Sequence, residues 1–227
     1  MLFMGYKLTH EFINKIRNTP LMKTLAILIL TLFSAASYGQ EIKQDFDGHK
    51  WEAPYTLPIP KDWTIERFLI PIAFAPQISY KGVEDIRFTP GWGKVKSDEY
   101  WSYAFLWYLE GEIKIDPQII DSNLKAYYTG LISINGRNIP SEKRIPVATS
   151  FKETKKDKGD LNTYVGTIKM VDYMEQKPII LNCKVHLKSC PGENKTFIFY
   201  ELSPQPLSHN IWHSLDKLWL DFTCKKE

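Results

Sequence analysis

The sequence predicts an α+β domain, an antiparallel sheet of about six strands with helices packed on its faces. Three observations lead there. The segment 100–109 is apolar on both faces, so a strand there needs cover on both sides. Two segments carry apolar stripes at helical spacing. Between them, four strand-like stretches are separated by turn residues at regular spacing, which makes a C-terminal meander. The 227 residues, 44% hydrophobic and 14% aromatic, suit one core and exclude a disordered chain, which is poor in aromatics. Twelve glycines and three cysteines exclude collagen-like and disulfide-dense classes.

Residues 1–39 read as a leader with a signal peptide. Lys7, Lys15, Arg17 and Lys23 against Glu11 give +4 − 1 = +3, and the whole chain gives 29 − 26 = +3. Residues 40–227 therefore net zero, without the excess positive charge that nucleic acid attracts. Lys23 precedes the apolar run 25–33. Small residues follow, and Ser37 and Gly39 fit the −3 and −1 positions of a signal peptidase site. The run is short of the roughly 20 residues that span a bilayer. The expectation is cleavage near Gly39/Gln40, export to the periplasm or beyond, and a mature chain with no transmembrane anchor. Met22 is an alternative functional start.

Residues 40–50 are polar and read as a tether, with 51–227 as a single globular domain. Pro54, Pro58 and Pro60 make 51–60 an extended edge segment, because proline cannot donate to a ladder. Lys61-Asp62 is a turn and 63–68 alternates as a strand. Leu69 to Tyr80, broken by Pro71 and Pro76, reads as an extended loop packed on the core. In 100–109, Trp101, Tyr103, Phe105, Trp107 and Leu109 take one face, with Ser102, Ala104 and Leu106 on the other. Asp116 caps a first helix and Pro117 takes its first position. Ile120, Leu124, Tyr127, Tyr128 and Leu131 form its stripe, and Gly130 closes it. Strands follow over 147–153, 163–172, 178–188 and 196–202. A last helix opens near Ser208, with Ile211, Trp212, Leu215, Leu218, Trp219 and Phe222 as its stripe.

Cys190 and Cys224 flank the ends of elements and are the expected disulfide. Cys183 lies inside an apolar strand and reads as a small buried hydrophobe. His209 and His213 stand four apart, a spacing that suits zinc. They lie opposite the apolar stripe with no third ligand, so they read as a solvated face. No metal site and no cofactor are expected. The chain has no GxSxG elbow and no CxxC motif.

The segment 81–93 is the densest mixture of charge and aromatics. It has two readings. One is a strand with a local Arg–acid pair and Trp92 folded into the core. The other is a ligand- or partner-binding surface with Tyr80 and Trp92 as aromatic anchors and Glu84 and Arg87 fixing polarity.

The segments 80–92 and 100–107 resemble uncharacterised secreted bacterial proteins of unknown function, and the leader ending in Gly39-Gln40 is similar to signals of Bacteroidetes-type bacteria. The element order is similar to the PsbP/Mog1-like sandwich. The resemblance covers about a third of the chain, carries no catalytic residues, and implies binding or assembly roles only as far as a fold can. The expected function is an exported binding or envelope-assembly module, using the surface around 80–92 toward an unidentified small molecule or envelope protein. One alternative is a hydrolase using carboxylates such as Glu84/Asp85 or Asp98/Glu99. Adjacent acids on a strand face opposite ways, which weakens it. Another is a carrier of a small apolar ligand with the loop 70–74 as a lid, which an internal cavity would favour.

Overall fold

The structure, a computed structural model, describes residues 46–225. The leader, Met22, the cleavage site and residues 40–45 of the tether lie outside the described residues. Residues 46–50 of the expected tether pack on the domain: the Arg67 guanidinium donates to the Gly48 carbonyl at 3.2 Å.

The strands are β1 (Tyr55–Thr56), β2 (Thr64–Ile70), β3 (Gly82–Phe88), β4 (Tyr103–Glu110), β5 (Ala148–Glu153), β6 (Asn162–Asp172), β7 (Lys177–Lys188), β8 (Lys195–Ser203) and β9 (Thr223–Cys224). The helices are α1 (Pro117–Asn135) and α2 (Ile211–Leu220), with a 3₁₀ turn at Ser141–Lys143. Seven strands form one antiparallel sheet in the order β2-β3-β4-β8-β7-β6-β5, and β1 pairs with β9 in a separate ribbon. Two meanders, β2–β4 and β5–β8, therefore meet where β4 pairs with β8. After β4 the chain crosses through α1 to the far edge at β5, then zigzags back to the centre.

The seventh strand is β3, the segment with two readings in the sequence. Its three consecutive ladder positions Glu84, Asp85 and Ile86 oppose Trp107, Leu106 and Phe105 of β4. Central pairing decides the burial of its charges; composition does not.

Pleating divides the central strands into two apolar faces. Tyr103, Phe105 and Trp107 of β4 and Tyr200 of β8 pack with Ile120, Leu124, Tyr127 and Tyr128 of α1. Ala104 and Leu106, with Phe197 and Phe199, pack with Trp212, Leu215 and Trp219 of α2. Burying one such large side chain is worth roughly 1.5–3 kcal/mol, so each helix is held by its stripe more than by intrinsic propensity.

The α1 start is as the sequence predicts: Pro117 lies in the first turn and Asp116 Oδ1 accepts from the Ile119 amide at 2.9 Å. Its end differs. α1 runs through Gly130 to Asn135, and the Gly136 amide closes it on the Ile132 carbonyl at 2.7 Å. Gly130 serves close approach instead, since a Cβ there would stand 1.8 Å from the Phe74 carbonyl oxygen. The segment between β2 and β3 thus lies directly on α1, with Ile72, Ala75 and Ile78 buried. α2 opens at Ile211 rather than near Ser208, after Asn210, whose side chain makes no capping bond. Cys190 and Cys224 form a disulfide with Cα atoms 5.8 Å apart, tying the β7–β8 turn to β9, and Cys183 is buried and unbridged.

Candidate functional site

A cavity of about 600 Å³ opens between α1, the segment after β2, and the end of the sheet formed by β2, β3 and β4. Ile72 and Phe74 come from the segment, Tyr127 and Leu131 from α1, and Phe88 and Tyr103 from the sheet. Trp92 and Trp101, from the β3–β4 connection, close the inner end with rings 6.1 Å apart. The lining is aromatic because the parity that gives the core face its rings continues past the edge of α1. Trp101 holds φ 55, a left-handed conformation that costs a bulky residue about 1–2 kcal/mol. Such strain tends to gather at functional sites. The Trp92 and Trp101 indole nitrogens are both buried without a hydrogen-bond partner. At the mouth, Phe68, Leu69 and Ile134 are 41%, 51% and 43% exposed. Glu66 and Asn135 supply the polar edge.

The wall is fixed from within. Glu84 is fully buried; its carboxylate accepts from the Tyr127 hydroxyl at 2.7 Å and the Trp107 indole at 2.9 Å. Burial pushes Glu84 up to about 7, against the lowering pull of those two hydrogen bonds. Tyr127 in turn stacks on Phe105 with centroids 5.4 Å apart and planes 8° from parallel. The Tyr103 and Tyr128 hydroxyls bond each other beside it.

The four residues expected to share one surface do not. Glu84 faces α1, whereas Arg87 faces the α2 side of β3, and both are buried. Arg87 is consumed internally by Asp85 and by the Pro58 and Leu57 carbonyls at 2.9 and 3.2 Å. Asp85 also accepts from Arg67 and from the Tyr55 hydroxyl. Tyr80 is half-buried, with its hydroxyl accepting from Asn123 at 3.2 Å. Of the four, only Trp92 lines the cavity. The carboxylates proposed for hydrolysis do not converge either: Glu84 and Asp85 bond partners on opposite faces, and Glu99 is spent on the Gly91 amide at 2.7 Å. His213 is exposed, and His209 Nδ1 accepts from the Ile211 amide.

A second polar group, which sequence spacing missed, lies on the α2 face. His186 of β7 is buried and its Nδ1 donates to Asp160 at 2.8 Å. The Asp160 carboxylate also accepts from Thr163 and from the Trp219 indole, each at 2.7 Å. Glu201 of β8 is fully buried, with Oε1 3.5 Å from His186 Nε2. Burial favours neutral His186, yet the Asp160 and Glu201 carboxylates raise it to about 9. Burial raises Glu201 to about 7. Asp160 is driven up by burial but held below its ordinary value by His186, Thr163 and Trp219. The residues come from the β5–β6 turn, two strands and α2, so no local motif joins them. The one signal in the sequence is parity: Lys184 and His186 alternate with Cys183, Val185 and Leu187 on a strand whose polar side lies under a helix.

No protein-family model matches the chain, and no curated protein matches it significantly. Among the described residues, no helix is long and apolar enough to cross a membrane.

Proposed function

We propose that this domain is a binding module that takes a small apolar molecule in the cavity between α1 and the segment 69–74. One observation carries the reading: an aromatic cavity of about 600 Å³ with an exposed apolar mouth. Small-molecule sites run to roughly 300–1,000 Å³, with few polar groups that fix orientation. The ligand class is therefore apolar or aromatic. The disulfide and the signal-like leader support work in an oxidising, exported setting. The exposed mouth at Phe68 and Leu69 favours a second reading, in which an envelope protein inserts an apolar side chain there.

Titration with an anilinonaphthalene sulfonate dye tests the reading. Ala73 is exposed at the cavity wall, so Ala73→Trp fills the site at small cost to the core. Saturable binding of one dye per chain, lost in Ala73→Trp, is the expected result. Dye binding that Ala73→Trp leaves unchanged would place the apolar surface elsewhere.

A further inference from the structure

We propose that His186 and Glu201 form a binding site for a divalent transition cation of the zinc class, on the sheet face opposite the apolar cavity. The two side chains border a pocket of about 270 Å³ with Lys184, Asp216 and Trp219. Both are nearly inaccessible to solvent, at 2% and 0%. Yet His186 Nε2 and both Glu201 oxygens lack a hydrogen-bond partner.

Geometry favours a cation between them. The 3.5 Å from Nε2 to Oε1 is long for a hydrogen bond. Two ligands about 2.1 Å from one zinc at a tetrahedral angle stand about 3.4 Å apart. His186 is also oriented as a ligand. Its Nδ1–H is fixed by Asp160, which turns Nε2 toward Glu201, the carboxylate–histidine–metal arrangement that orients the ring. Asp157, Asp160 and His186 each offer one atom within 4.8 Å of the others. Asp160 is already engaged by Thr163, Trp219 and His186, so it positions the imidazole rather than binding metal itself. Lys184 is committed to Asp216 and sits 5.3 Å above the Trp212 ring. Its ammonium stays 3.9 Å from Glu201 Oε2, leaving Oε1 to the metal. An imidazole nitrogen with a carboxylate suits zinc rather than calcium or magnesium, which take oxygen sets. Water in the pocket completes the coordination, and any proton on Nε2 leaves to solvent as the cation enters.

The test is zinc titration of the full chain after chelator treatment, read by calorimetry and by metal content after dialysis. One zinc per chain is expected, lost in His186→Asn and in Glu201→Gln. Asp160→Asn should weaken it by about ten- to a hundredfold, while the His209→Ala/His213→Ala double variant should bind as wild type. Should a variant fail to fold, histidine ¹⁵N NMR of the wild type decides alone: a zinc-induced shift at the Nε2 of the imidazole whose Nδ1–H is held by Asp160. A wild type without stoichiometric zinc, zinc that survives His186→Asn, or an unmoved His186 Nε2 would leave only a buried His–Glu ion pair and overturn the proposal.

Discussion

The Tyr127 hydroxyl donates to the buried Glu84 carboxylate at 2.7 Å, joining the cavity wall on α1 to the central strand β3. The bond places the acid behind the wall rather than in the cavity. Glu84 therefore shapes the site through Tyr127, and its ionisation bears on stability.

Glu84 titrates near 7 in the folded protein, above its ordinary value of 4.5. Burial is the main cause and Glu66 on β2 adds repulsion, while Tyr127 and Trp107 pull the other way. A raised folded-state value means that the neutral acid is favoured by folding. Its stabilising contribution is complete below pH 4.5 and is lost as the pH rises through 7. Wild type should lose roughly 3 kcal/mol more than Glu84→Gln between pH 4 and pH 8.5, at about 1.4 kcal/mol per unit. Urea denaturation of both at the two pH values checks this. Equal pH dependence in the two proteins would show that Glu84 is not the titrating group.

Gly130 gives a prediction of inverted sign. Glycine to alanine inside a helix ordinarily stabilises by about 1 kcal/mol. Here the added Cβ would lie 1.8 Å from a backbone oxygen of Phe74, and overpacking costs about 1–3 kcal/mol. Gly130→Ala should lower the thermal midpoint. Because the clash pushes on the segment that walls the cavity, dye affinity should fall with it. A raised midpoint would mean that this segment does not press on α1.

The elements legible in the sequence are those whose signals are local. Asp116 and Pro117 mark the α1 start by chemistry confined to one turn. The alternation of β4 announces cover on both faces, and the α2 stripe from Ile211 to Phe222 supplies one half of that cover. Gly130 looked like a helix end because its reason, the Phe74 carbonyl, lies in a distant segment. β3 kept two readings open; the strand with a local Arg–acid pair is the one present, as Asp85–Arg87, with Arg67 and Tyr55 arriving from other elements to complete it. The sequence also raised a carrier with the loop 70–74 as a lid, and Ile72, Ala73 and Phe74 do line the cavity. His186, Glu201 and Asp160 converge through strand pairing and a turn, so their grouping exists only once β7 and β8 are in register.

The central claim is that the cavity holds a small apolar molecule. Native mass spectrometry of the full chain purified from its own host, beside Ala73→Trp prepared in the same way, tests it most directly. The account predicts wild type carrying one apolar molecule of defined mass that the Ala73→Trp protein lacks. A wild type that emerges bare, or that carries the same mass as Ala73→Trp, would contradict it.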